Sequence, residues 1–188
     1  MADVVQCFTR GLDHFGGLVH AIGPEDWTRD TPCREWDVRA LLNHLVVEQL
    51  WAPPLLEGQT IAEVGDKFDG DVLGRDPVAA WDSSAADARA AFSAPGAMDR
   101  TVHLSFGDTP AEEYGWQMTM DLLIHGWDLA RGIGADDTMD PEIVVEVYER
   151  IQPMTGDLAA SGMFDAPVEV ADDADLAVRL LAIFGRRA

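Results

Sequence analysis

One long helical pattern, running from Thr109 to a glycine breaker at Gly132 to Gly134, constrains this chain's fold more than any other feature. Within it, Asp121-Leu-Leu-Ile-His125-Gly-Trp127-Asp128-Leu-Ala-Arg131 sets polar side chains at 121, 125 and 128 along one stripe amid apolar neighbours. A helix this apolar must lie against other elements, so the stripe has to find its partners inside the protein. A second segment, Leu41-Leu-Asn-His44-Leu-Val-Val-Glu48, has the same character, with one imidazole set into an apolar helical run.

The remaining elements are read from periodicity and punctuation. Phe8, Leu12, Phe15, Val19 and Ile22 recur at helical steps and predict a first helix ending near Gly23-Pro24. Asp37 is the expected N-cap of a second helix that runs through Trp51 and stops at Pro53-Pro54. The Gly- and Asp-rich stretch from 58 to 74 lacks periodicity and reads as a long loop bordering a functional site. Asp76-Pro77 opens a third helix along Val78, Trp81, Ala85, Ala88 and Phe92. Thr101 to Ser105 alternates weakly and reads as a short extended piece, and Thr109-Pro110-Ala-Glu112 reads as a capping box opening the fourth helix. Asp140-Pro141 and Asp175 cap two further helices, and the stretch from Gly156 to Asp175 leaves room for another extended segment at Val168-Glu-Val170. The expected fold is therefore mostly all-α: one domain over residues 1–188, a four-helix bundle with additional C-terminal helices and one or two short extended segments.

Charge narrows the function classes. A net charge of -21, with 13 scattered basic residues, argues against a nucleic-acid partner and against anionic membrane surfaces, since both need clustered cations. No run of the sequence is long and apolar enough to span a membrane, and no secretory leader opens it, so a cytoplasmic location is expected. Cys7 and Cys33 make neither a disulfide framework nor a metal-ligand spacing, and Cys33, a lone thiol in a turn-like stretch, reads as structural rather than as a nucleophile.

Residues 121 and 125 are one helical turn apart, so a carboxylate oxygen and an imidazole nitrogen project to the same side and can share a cation. Three protein ligands with an open position make a catalytic metal site, and His44 is the best third candidate, placing His44, Asp121 and His125 on facing helices of the bundle. Glu48, one turn beyond His44, is a fourth ligand, an acceptor for an imidazole N–H or a general base; Asp128 orients a ligand or moves a proton. Plainer roles stand beside these: a lone His on an apolar helix is often a satisfied core residue, and an Asp–His pair one turn apart is often a hydrogen-bonded surface pair. His14, His20 and His103 have no partner at metal spacing, and Trp36, Trp51, Trp116 and Trp127 read as packing for the core and a pocket wall.

Three motifs occur in an order that resembles a known family: Trp27 with Thr31-Pro-Cys-Arg-Glu-Trp-Asp-Val-Arg-Ala-Leu-Leu-Asn-His44, then Phe106-Gly-Asp-Thr-Pro-Ala-Glu-Glu113, then Asp121 to Arg131. Together with an ending like Arg179-Leu-Leu-Ala-Ile-Phe-Gly185, they resemble the actinobacterial DinB-like proteins known as mycothiol-dependent maleylpyruvate isomerase metal-binding domains. The resemblance implies a DinB-like four-helix bundle that holds zinc or nickel through the residues matching His44, Asp121 and His125, and that pairs as a homodimer. Asp121 stands where the broader superfamily often has His or Glu. The isomerase itself carries a further C-terminal domain that contributes to its active site, for which this chain leaves little room. The expected function is that of a metal-dependent enzyme using a low-molecular-weight thiol such as mycothiol for S-transfer or isomerisation of a small electrophile. A thiol-independent metal hydrolase and a non-catalytic metal- or ligand-binding helical protein are the alternatives.

Overall fold

The computed structural model describes residues 2–34, 36–156, 158 and 165–188. Four long helices form its centre: α1 (Val4–His20), α2 (Val38–Leu56), α4 (Pro77–Phe92) and α5 (Ala111–Ile133), with a one-turn helix α3 (Ile61–Val64) between the second and third of them. Asp3, Asp37 and Asp76 cap α1, α2 and α4 through side-chain oxygens that accept from Gln6, Ala40 and Ala79 backbone N–H groups. Each of α1 and α2 packs against both α4 and α5, so the four close into a bundle in which α2 and α5 are neighbours. Inside it, Phe8 meets Phe92 at 4.4 Å between ring centres and Phe15 meets Trp81 at 4.7 Å. The fold is mostly α-helical, as the periodicity predicts.

A second apolar cluster lies on the other side of α5. There α6 (Pro141–Ile151) and α7 (Leu176–Ile183) bring Ile143, Val147, Leu180 and Leu181 against Leu123, Ile124 and Trp127. Every residue from Leu122 to Ala130 is consequently buried. Close approach depends on Gly115, where a Cβ would lie 2.9 Å from a Val4 methyl carbon, and α5 ends at Gly134 in the left-handed conformation (φ 71°).

Three local expectations are corrected. Pro53 and Pro54 do not stop α2, which continues to Leu56. Each proline gives up its own N–H, but their carbonyls accept from Glu57 at 3.0 Å and Gln59 at 2.9 Å, and burial of Leu55 and Leu56 favours the extra turn. Thr109 does not cap α5. It lies in β2 (Gly107–Pro110), which pairs antiparallel with β1 (Thr101–Leu104) in the register Val102 to Thr109, and its hydroxyl turns back to the Gly107 carbonyl. The helix starts at Ala111 without a side-chain cap. Asp175 likewise stands at the N-cap of α7 without a capping hydrogen bond.

The stretch from 58 to 74 is more ordered than its composition suggests. Thr60 and Glu63 form a capping box over α3, and Asn43 on α2 clamps the following turns by donating to the Gly70 carbonyl and accepting from Val72 N–H, both at 2.9 Å. Part of the Gly156 to Asp175 stretch lies outside the described residues. Its described portion at Val168 to Val170 forms no strand, although Val168 N–H bonds the Ala182 carbonyl at 2.9 Å.

Candidate metal centre

Packing of α2 on α5 brings His44, Asp121 and His125 together, with one ligand atom from each lying within 4.8 Å of the others. His44 Nε2 is 3.1 Å from Asp121 Oδ2, and His125 Nε2 is 3.5 Å from Asp121 Oδ1. Zinc bonds of about 2.0–2.1 Å in a tetrahedral shell put neighbouring donor atoms about 3.3–3.5 Å apart, so the spacing fits such an ion. Two imidazoles and one carboxylate also suit a borderline divalent cation rather than calcium or magnesium. Trp36 stacks on His44 with ring centres 4.5 Å apart and reaches His125 at 5.3 Å, which limits how either ring can turn.

Behind His125 the polar stripe continues inward. Its Nδ1 is 3.0 Å from Asp128 Oδ2, and Asp128 accepts from Arg186 Nε at 3.1 Å and Nη2 at 2.7 Å. Arg186 also donates to the Phe184 carbonyl at 2.8 Å. Asp128 is fully buried and Arg186 is 5% exposed. A carboxylate at Nδ1 fixes the tautomer in which Nδ1 carries the proton, leaving the Nε2 lone pair directed at Asp121 and available to a cation. Asp128 therefore stands where it orients His125, with no path of its own to the cavity described below.

The charges around the trio bias protonation. Burial pushes the Asp121 carboxyl up, but the neighbouring His44 and His125 rings, a hydrogen bond from His44 and Arg186 outweigh it and hold Asp121 below the usual carboxylate range. Burial opposes the charged His44 ring, yet Asp121 and then Glu48 raise it overall. Glu48 itself is pushed up to about 7, by burial first and then by the Asp121 charge, against the lowering effect of His44.

Beside the trio a cavity of about 640 Å³ is lined by His44, Glu48 and Asp121 at one end and otherwise mainly by apolar side chains, including Trp51, Ile61, Leu104, Met118 and Val147. Trp51 and Trp116 are wall residues, as expected from the sequence. His20 and His103 pair instead with Asp82 at 2.9 Å and Asp108 at 2.7 Å, outside the site.

Sequence reasoning missed two residues. Arg186 lies 58 positions from Asp128, and its only local signal is a pair of cations, Arg186-Arg187, after the apolar helix and Phe184-Gly185. Cys33, beside Arg34 in the sequence, gains a distant basic neighbour in the fold, the Arg186 guanidinium. Cys33 also lies within 4.8 Å of His125 and Asp128. A cation held by that second set would face the guanidinium directly, so the His44 set is the better cation site.

Residues 8–130 match the family model for the mycothiol maleylpyruvate isomerase N-terminal domain. The match spans all three members of the trio and Asp128 and stops short of Arg186. Two Mycobacterium tuberculosis proteins, described only as uncharacterized protein MT0763 (strain CDC 1551 / Oshkosh) and uncharacterized protein Rv0738 (strain ATCC 25618 / H37Rv), are each 32% identical over 158 residues. Those alignments cover 82% of this chain and 80% of each relative. No solved structure matches. A family model spanning residues 8–130 and relatives aligned over most of their length lead to one conclusion: the chain belongs to the mycothiol maleylpyruvate isomerase N-terminal domain family, a DinB-like group.

Proposed function

We propose that the protein is a metal-dependent enzyme that brings a low-molecular-weight thiol of the mycothiol type to a small electrophile, for S-transfer or isomerisation. The observation that carries this reading is the His44–Asp121–His125 cluster opening onto a cavity large enough for a second reactant. Family membership supports the choice of thiol. His44, Asp121 and His125 would hold the ion, zinc in the first place and nickel in the second. When bound, a divalent ion lowers the pKa of a thiol from about 8.5 and makes the thiolate available at neutral pH.

The chain's own groups do the rest. Asp128 and Arg186 hold His125 in the tautomer that directs Nε2 at the site. Glu48, with its carboxyl near 7, is matched to take the thiol proton and return it to the product carbon or leaving group. Sulfur forms a bond to the electrophilic carbon. In S-transfer the leaving group departs with the returned proton, whereas in isomerisation the C–S bond breaks again and the thiol is regenerated. Trp36 covers the imidazoles, and the apolar walls exclude water from the reacting carbon.

Metal analysis of untagged protein tests the reading. Near-stoichiometric zinc or nickel is expected in wild type and is lost in His44→Ala and His125→Ala. Loaded protein should convert an electrophile such as a cis aryl enone only when a low-molecular-weight thiol is supplied, whether the thiol is consumed, as in S-transfer, or regenerated, as in isomerisation. Equal metal content in all three proteins would remove the trio as the site, and thiol-free turnover of an activated ester would replace the thiol enzyme by a metal hydrolase.

A further inference from the structure

Two helices carry much of the cavity wall, and their directions set its shape. At one end His44 of α2 meets Asp121 of α5 at 3.1 Å. At the other, Arg100 ties the same two helices together: its guanidinium donates to the Leu56 carbonyl at 2.8 Å, and its own carbonyl accepts from Ala111 N–H at 2.9 Å. The helices α2 and α5 therefore run antiparallel, and the helical rise per residue makes the stretch between these ties roughly 15–18 Å long. On α2 the lining residues His44, Glu48, Trp51 and Leu55 fall at helical steps along that whole stretch. The cavity of about 640 Å³ is thus a trench that starts at the metal trio and follows the two helices away from it.

The lining changes along the trench. A divalent ion held by the trio offsets the Asp121 and Glu48 charges, so the metal end accepts an electron-rich or anionic head group. Beyond it the walls are mainly apolar, with Trp51, Leu55, Ile61, Leu104 and Met118. The other charged groups of the wall are Glu113 and Arg150, and Arg150 already bonds Glu146 at 2.7 Å. A second anionic group, away from the ion, would meet Glu113 with only a shared cation to balance it. The rim is apolar as well: Phe106, at the hairpin turn between β1 and β2, and Met154, just past α6, both line the cavity and are 73% and 46% exposed.

We infer that the trench takes an elongated molecule with one polar head and an apolar body, the head at the His44–Asp121 end and the body lying along α2 and α5 toward Leu55 and Ile61. The inference rests on the proposed function only in making this molecule the electrophile: the thiol sulfur needs no more than the metal end, which leaves the apolar length to the other reactant. Ile61 opens α3 just past the end of α2, and Leu104 follows the bridge that His103 makes with Thr60. These two side chains limit how long a body the trench admits. Compact dicarboxylates gain nothing from the apolar walls and are poor ligands.

The test is calorimetric titration of metal-free protein with butanol, hexanol and octanol, and of zinc-loaded protein with decanoate and decanedioate. Affinity for the alcohols is expected to rise about fourfold with each added methylene, the worth of burying it. Ile61→Trp, at a half-buried position, fills the far end and should remove most of octanol's gain while leaving butanol unchanged. Leu104→Trp, also at a half-buried position, serves as a second plug should the first melt below wild type. Zinc-loaded protein should bind decanoate about tenfold more tightly than decanedioate, and removal of zinc should weaken decanoate but not octanol. An affinity that does not grow with chain length, a gain that survives both plugs, a dicarboxylate bound as tightly as decanoate, or decanoate binding indifferent to zinc would each overturn the inference. The alcohol series is independent of the metal analysis. Loss of metal binding with the chain-length gain intact would sink the proposed enzyme and keep the trench, and metal binding without that gain would do the opposite.

Discussion

Two sets of buried polar groups flank α5, and they are finished to different degrees. In one, Asp128 and Arg186 satisfy each other through two hydrogen bonds, and Asp128 in turn holds His125. In the other, the Tyr114 hydroxyl, the Trp116 indole N–H and the Gln49 amide on α2 meet nothing among the described residues. The difference follows from cost. A buried charge without a partner is prohibitive, so ionised groups must be paired within the chain, whereas a neutral donor costs about 1–3 kcal/mol when unpaired and can be tolerated. Full internal pairing goes with the groups that carry charge, and incomplete pairing is confined to neutral ones.

Breaking the finished side should have the largest effect. Arg186→Met leaves the Asp128 charge buried and unpaired and is expected to destabilise the protein by about 3–5 kcal/mol in urea titration, with Asp128→Leu combined with Arg186→Met recovering most of that loss. A cost below about 1 kcal/mol would mean that Asp128 finds another partner. Asp128→Asn keeps an acceptor for Arg186 but removes its counter-charge, so it should cost about 1–3 kcal/mol of stability and weaken metal binding about 10–100-fold in competition with a chelator, because the His125 tautomer is no longer enforced.

Glu48 supplies a pH test in metal-free protein. Its folded-state pKa of about 7 lies above the ordinary 4.5, so the folded protein binds this proton more tightly than the unfolded chain. The stability it contributes is fully present below pH 4.5 and is lost as pH rises through about 7. Glu48→Gln should therefore match wild type near pH 4 and exceed it near pH 8 by on the order of 2 kcal/mol, and an unchanged difference across that window would show that burial does not govern this carboxyl.

On the unfinished side, Gln49→Met removes an amide with no partner and is expected to stabilise by about 1 kcal/mol; a loss of stability would reveal a bond that the amide makes in solution. The smallest effect sharpens the contrast with Arg186. Arg89 and Asp13 form an ion pair between exposed side chains of α4 and α1, and Arg89→Ala should change stability by no more than about 0.5 kcal/mol.

Much of this was legible in the sequence because it is local. Asp37, Asp76 and Asp140 announce the starts of α2, α4 and α6, and one-turn spacing puts Asp121 and His125 on one face. Choosing His44 as their companion needed only the adjacency of two apolar helices that each carry a stray imidazole. What stayed hidden depends on partners far along the chain. No pattern near Asp128 points to Arg186, and none near Cys33 points to the same guanidinium. Pro53-Pro54 mislead because burial of Leu55 and Leu56 outweighs two lost hydrogen bonds, and Thr109 misleads because pairing with Val102 competes with capping for the same residue. Tyr114 carried no signal at all, since an unpaired hydroxyl is visible only once its neighbours are placed.

Burial of α5 on both sides has a kinetic consequence. A helix covered on one side can open toward solvent while the rest of the protein stays folded, but from Leu122 to Ala130 no side chain faces water. The backbone amides of that stretch can exchange with deuterium only when the bundle core and the α6–α7 cluster come apart together. The slowest-exchanging protons in the molecule should accordingly be those of the very turns that carry His125 and Asp128.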